Sequence, residues 1–202
     1  MEDSWDEMEP SLADQIASRL IPSLFENDLR EFVPEGDLNP IITKAAIEEE
    51  LKDFANGSGF EELVRFICNH ATKIFAIAVL SDIEGSVLYK VMKWFLAHGR
   101  FDEHLPLQPW KEMHELRSGR GRGWTPSRYR RFYENQWPFL APIFRTDTEN
   151  ESNRDFEQFR ILPFTKGETT ERPHSGSFGK ILKYKIHPNH LIDHEYPVRN
   201  QL

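Results

Sequence analysis

With a single cysteine, Cys68, in 202 residues, the chain cannot form an internal disulfide, and its fold must rest on packing and hydrogen bonds. That usage fits a reducing compartment, so an intracellular location, cytoplasmic or nuclear, is expected. Long apolar runs are also missing. The longest, Ile74 to Leu80, is far too short to span a bilayer, and no membrane association is expected. The first residues, Met1 to Glu7, are acidic and lack the basic start and apolar stretch of a secretory signal. No GxxxxGK[ST] occurs anywhere, which excludes a Walker-type phosphate loop. Internal repeats and coiled-coil heptads are absent as well.

What is present is enough to build a core. Hydrophobic residues make up 39% of the chain, and the aromatics include 15 Phe and 5 Trp, which argues against wholesale disorder. The net charge of −8 is unevenly spread. Residues 1–60 carry 15 acids against 4 bases, whereas residues 111–131 carry 7 bases against 2 acids. An acidic front half repels phosphate and argues against a general nucleic-acid binder. The arginines from Arg117 to Arg131 alternate with Trp124, Tyr129, Phe132 and Tyr133, a texture that can grip phosphates and stack bases. Docking of this basic stretch on the acidic helices is favoured instead.

Helical signals dominate the first hundred residues. Ser11 with Asp14 forms a capping pair for a helix that stops at Pro22. A short helix from Leu24 to Phe32 is expected next, then a turn at Pro34-Glu35-Gly36-Asp37. Pro40 to Phe54 reads as a helix with Thr43 or Asn39 near its start. Phe60 to Leu80 reads as one long helix at the centre of the core, containing Cys68 as a small buried residue. Val87 to His98 is a further helix closed by Gly99. Beyond it, Arg100 to Trp124 reads as loop. Thr125-Pro126 starts a helix running to about Gln136, and Trp137 to Phe144, with Pro138 and Pro142, reads as extended. Ile161 to Phe164 and Ile181 to Ile186 read as short strands. The expected division is therefore a helical domain at 11–99, a connector at 100–157 and a β-rich unit at 158–202. The fold class is mainly α, with an α+β character contributed by the last part.

The most informative stretch is His174-Ser175-Gly176-Ser177-Phe178-Gly179-Lys180-Ile181. Two glycines separated by two residues, one of them aromatic, permit a tight strand–loop–strand. Without a Cβ, the backbone can come close to a phosphate and aim N–H groups at its oxygens. A β-branched residue, Ile181, then follows at the position that packs under an adenine. A strand, not a helix, follows the loop, which excludes a Rossmann fingerprint.

This run resembles the glycine-rich loop of protein kinases, GxGxFGxV, with Gly176, Phe178, Gly179 and Ile181 on matching positions. Leu162-Pro163-Phe164, the stretch Lys183 to His190, and Gln136 to Phe144 are similar to fungal protein-kinase-like proteins. In these a helical region precedes the kinase domain. The resemblance spans roughly residues 20–202, of which the last 40 or so correspond to the start of the kinase small lobe. It implies ATP with Mg as the ligand of the complete family and Ser/Thr phosphoryl transfer as its activity. It also implies a nucleotide-facing set of Gly176, Ser177, Phe178, Gly179, Ile181 and Arg199, the last standing where the family has a lysine. Three departures weigh against tight binding. His174 replaces the first glycine, Pro197 removes a strand donor, and Arg199 has a bulkier planar head than lysine. Neither an HRD nor a DFG segment occurs in these residues, so no catalytic residue is assigned and the resemblance implies a truncated, inactive member. The alternative is a helical module that binds a partner protein without any nucleotide. His187, His190 and His194, with Asp193 and Glu195, have the spacing of a loop metal site, but a solvated or capping role is favoured and no metal is assigned.

Overall fold

The computed structural model describes residues 9–25, 30–108, 125–145, 156, 158–168, 175–176, 179–180 and 183–192. Helices dominate and the strands are short, so the protein is mainly α with a smaller β content. The chain divides into two compact units. One contains residues 1–19 and 38–133, the other residues 20–37 and 134–202. This differs from a division in chain order at 99 and 157. The early segment 20–37 groups with the C-terminal part, and the expected connector is shared between the units.

The first unit is built of helices. α1 (Leu12–Ala17) begins with the expected capping box: the Ser11 hydroxyl accepts the Asp14 N–H at 3.1 Å, and the Asp14 carboxylate accepts the Ser11 N–H at 3.1 Å. Its buried residue, Ile16, lies on the face that packs against α4 (Thr72–Leu80). α2 (Lys44–Glu50) is shorter than the expected 40–54 helix. Thr43 caps it by accepting the Ala46 N–H, and a 3₁₀ turn at Lys52–Phe54 follows. The residues before Thr43 form turns instead, with Ile41 and Ile42 both donating to the Leu38 carbonyl. α5 (Gly85–Ala97) ends as expected at Gly99, whose φ of +57° is a left-handed stop that glycine adopts without a Cβ penalty.

The expected helix from Phe60 to Leu80 is two helices. α3 (Phe60–His70) and α4 meet at Ala71 and bend by 99°. Periodicity could not reveal the break, because its partner is remote in sequence. The Asp102 carboxylate takes the Lys73 and Ile74 N–H groups at 2.9 Å each, satisfying donors that a helix start leaves bare. The Thr72 hydroxyl closes the end of α3 by donating to the Ile67 carbonyl. Once freed from α3, α4 is buried on every side: Ile74, Phe75, Ala76, Ile77, Ala78 and Val79 are all core. Each large side chain there contributes about 1.5–3 kcal/mol by burial. α6 (Pro126–Glu134), with Thr125 as its cap and Pro126 in its first turn, adds Phe132 to this core. The Phe132 ring stacks on Phe95 at 6.1 Å, and Arg131 pairs with Asp82. Among the described residues, no single helix is long and apolar enough to cross a membrane.

The second unit has a different texture. The expected helix over 24–32 is not formed at its ends. β1 (Ile21–Pro22) pairs antiparallel with β2 (Glu31–Phe32), because Ser23, Leu24 and Arg30 find partners far along the chain. Trp137 to Leu140 is a 3₁₀ helix, not an extended segment. Pro138 is accommodated in its first turn, where no N–H is required. β3 (Phe144–Arg145) pairs in parallel with β8 (Leu191–Ile192). β4 (Phe164–Glu168) pairs antiparallel with β7 (Lys183–Ile186); β4 begins where the expected strand 161–164 ends, and β7 falls within the expected strand 181–186. β5 (Ser175–Gly176) pairs antiparallel with β6 (Gly179–Lys180).

Asp102 offers a test of the helix break. Burial pushes its carboxyl above the usual value, and the Lys73 and Ile74 bonds pull it back without cancelling the effect. A raised acid binds its proton more tightly in the folded state, so protonation here favours folding. The contribution is present below the unfolded value of about 3.9 and is lost as pH rises through the folded one. Asp102→Ala is expected to cost about 1–2 kcal/mol in urea unfolding at neutral pH, as loss of a helix cap does. The stability advantage of the native protein over Asp102→Asn should widen as pH falls from 7 to 4. A narrowing gap contradicts the assignment.

Candidate functional site

The glycine stretch lies in the second unit. Gly176 sits directly opposite Gly179, and Ser175 opposite Lys180, so only two residues close the hairpin. Of the sequence-derived site, Gly176 and Gly179 are brought face to face. Ser177, Phe178, Ile181 and Arg199 lie outside the described residues, as do His174 and Pro197. Below this tip, β4 and β7 form the longer ladder, with Gly167 opposite Tyr184 and Glu168 opposite Lys183. The Glu168–Lys183 pair and the Ser175–Lys180 pair belong to different registers, so tip and stem are not one continuous ladder.

Sequence dictates the stem by alternation. Along β7, Lys183 and Lys185 are exposed while Tyr184 and Ile186 are half-buried, the period-two pattern of a strand covered on one face. The covered face is aromatic. Phe164 stacks on Tyr184 with ring centroids 5.0 Å apart and planes 9° apart. Phe25 contacts both rings, at 5.7 and 5.4 Å, and Phe144 lies 6.2 Å from Phe164. Phe25 comes from the early segment, which is also hydrogen-bonded to the base of the stem. Leu24 N–H donates to the Phe164 carbonyl at 2.7 Å, and the Ser23 hydroxyl donates to the Leu162 carbonyl at 2.8 Å. The outer lysines give the stem a positive edge.

Just past the stem, His187 N–H donates to the Pro163 carbonyl at 2.8 Å, and the His190 side chain is buried. The rings of His187 and His190 are 6.1 Å apart, in an edge-on arrangement. His194, Asp193 and Glu195 lie outside the described residues. Among the described residues, no group of three or more His, Cys, Asp or Glu side chains is placed to hold a metal ion.

Two concavities are lined by residues outside the hairpin. In the second unit a cleft of about 380 Å³ is bounded by Trp137, Pro138, Phe159 and Ile161, with Arg30 and Glu134 at its rim. Arg30 is engaged there, donating to the Phe159 carbonyl at 3.0 Å. In the first unit a hollow of about 230 Å³ is lined by Lys44, Glu61, Val64, Arg65 and Cys68. Cys68 is half-buried, not the core residue expected, and burial raises its thiol above the ordinary value, which disfavours the reactive thiolate. Sequence reasoning missed the aromatic stem and the roles of Phe25 and His190. Their partners are more than a hundred residues distant, or close only after the stem has formed. The alternation Lys183-Tyr184-Lys185-Ile186 was the one local signal available.

No protein-family model matches the chain, no curated protein matches it, and no solved structure matches it.

The stem's dependence on aromatic packing is testable. Phe164→Ala is expected to destabilise the second unit by about 1–3 kcal/mol, less than a fully buried Phe because the ring is half-buried. Lys183→Ala should stay within about 0.5 kcal/mol of the native protein. Exchange of the β7 amides distinguishes the two, and equal effects contradict the packing account.

Proposed function

We propose that the second unit carries the opening of a protein-kinase-like small lobe, in which the hairpin at Gly176 and Gly179 is a phosphate-facing glycine loop. The observation that supports this is the direct pairing of Gly176 with Gly179 across a two-residue tip, at the place where the sequence resembles GxGxFGxV. Glycine on both sides of the tip leaves the backbone bare of Cβ atoms, so N–H groups can approach an anionic oxygen closely. The positive edge formed by Lys183 and Lys185 favours the same class of ligand.

On this reading the ligand is a nucleoside triphosphate, with Gly176, Ser177, Phe178 and Gly179 against the phosphates, Ile181 against the base and Arg199 in place of the family's lysine. The backbone pairing fits a phosphate. Magnesium is less well served, since no ligand group is assembled among the described residues, and no step is assigned to it. The HRD and DFG segments that supply the base and metal ligands in kinases do not occur in this sequence. The role proposed for these residues is therefore nucleotide binding as part of a serine/threonine kinase-like protein, not transfer chemistry by themselves.

A thermal melt of the whole chain with and without Mg-ATP tests the reading. Ligand at about ten times its dissociation constant stabilises by ~1.4 kcal/mol, which corresponds to a rise of about 3–5 °C for a chain of this size. The rise should disappear in Gly179→Val, whose own melt without ATP reports whether the hairpin variant still folds. An unchanged melt of the native protein at about 10 mM ATP, far above the affinity of working nucleotide sites, contradicts nucleotide binding and leaves the helical interaction module as the better reading.

A further inference from the structure

His190 is 1% exposed, and both of its ring nitrogens are committed to backbone groups. Nδ1 lies 3.0 Å from the Pro142 carbonyl, which can only accept, so Nδ1 carries the hydrogen. Nε2 lies 3.1 Å from the Glu35 N–H, which can only donate, so Nε2 must present its lone pair. The two bonds fix one neutral tautomer. They also tie three stretches of the second unit together: the turn after β2, the residues before β3, and the 3₁₀ helix Pro188–His190 that leads into β8. The ring sits edge-on to buried Phe32 at 5.4 Å. Asn189 reinforces the same junction, its amide donating to the Glu35 carbonyl at 3.0 Å and to the Asp37 carboxylate at 3.2 Å.

We propose that His190 is a proton-sensitive latch: protonation of its Nε2 opens the junction between the 33–37 turn and the β3–β8 pair. The added proton would point at the Glu35 N–H, replacing an accepted hydrogen bond with two opposed donors, and would place a charge in a buried site. The Pro142 bond survives, because Nδ1 donates in both forms. What is released is the 33–37 side of the clasp.

The charged and titratable groups around this site pull in both directions. Glu31 lies on β2, and Glu35 and Asp37 lie on the turn that follows. These acids lower the cost of a positive ring. Arg145 on β3 and Arg160 (which donates to the Leu140 carbonyl at 2.8 Å) raise it, and the His187 ring lies 6.1 Å from that of His190. None of them alters the stereochemical conflict at Nε2, which is set by a backbone N–H that cannot become an acceptor. The latch is independent of nucleotide binding, since it requires nothing at the glycine hairpin.

The test is a titration of the whole chain from pH 7.5 to 5, with amide exchange and the ring-nitrogen NMR signals of His190 read together. The expected result at pH 7.5 is the Nδ1–H tautomer and a protected Glu35 amide. On acidification, proton uptake at His190 should coincide with a loss of at least tenfold in protection at Glu35, while the α4 amides keep theirs. His187→Gln should leave this transition in place, and His190→Gln should abolish the pH dependence. If His190→Gln fails to fold, the native titration and His187→Gln still decide. A Glu35 amide that stays protected after His190 has taken up its proton overturns the proposal, as does a transition that vanishes in His187→Gln.

Discussion

The Ser23 hydroxyl donates to the Leu162 carbonyl across 139 residues of chain, and the Leu24 N–H beside it donates to the Phe164 carbonyl at 2.7 Å. These bonds determine much of the second unit. Among the described residues its strands come in pairs, and a two-stranded ribbon is marginal in water without something to cover its apolar face. The early segment provides that cover by setting Phe25 against Phe164 and Tyr184. It also supplies Glu35, whose N–H holds the His190 ring. The stem of the glycine hairpin and the 3₁₀ turn after it are thus held by residues that precede the whole first unit except α1. The chain crosses between the two units three times, and the second crossing follows directly from the tight turn at Gly36, where φ is +87° and the Asp37 N–H closes on the Pro34 carbonyl.

What was legible in the sequence was what local chemistry decides. Ser11 and Asp14 announce α1, Thr125 and Pro126 announce α6, Gly99 ends α5, and Pro34 to Asp37 mark a turn; each depends on neighbours within four residues. Two of the departures have the opposite cause. The stretch from Leu24 to Phe32 has helical character, but Ser23, Leu24 and Arg30 find better hydrogen-bond partners among residues 159–164. The run from Phe60 to Leu80 has continuous helical character, but Asp102 makes a second helix start affordable at Thr72. Trp137 to Phe144 has the prolines of an extended segment, yet Pro138 occupies the one part of a helix where a missing N–H costs nothing. In the first two cases tertiary context overrode a correct local preference, and the third turns on where in a helix a proline stands.

The candidate site was legible to a similar depth. Glycine spacing alone indicated a tight turn between two strands at 176–179, and a pairing of Gly176 with Gly179 is found there. The apparatus that holds the hairpin was not legible, because aromatic residues at 25, 144, 164 and 184 show no pattern until the strands are in register. A glycine loop must be positioned to matter, since backbone N–H groups contribute to anion binding only when they are already aimed. The functional reading therefore leans on packing at the stem as much as on the glycines at the tip.

The central structural claim is that residues 20–37 belong energetically with residues 134–202. Native-state hydrogen exchange of the whole chain under increasing denaturant tests it most directly, because amides of one cooperative unit open together. The account predicts that Leu24, Val33 and Glu35 share one opening free energy and one denaturant slope with Phe164, His187 and His190. It also predicts that Ile74, Phe75 and Leu88 follow a separate isotherm. If Leu24, Val33 and Glu35 instead merged with the α3–α5 amides, or exchanged freely while Phe164 and His187 stayed protected, the early segment would not be what holds the hairpin.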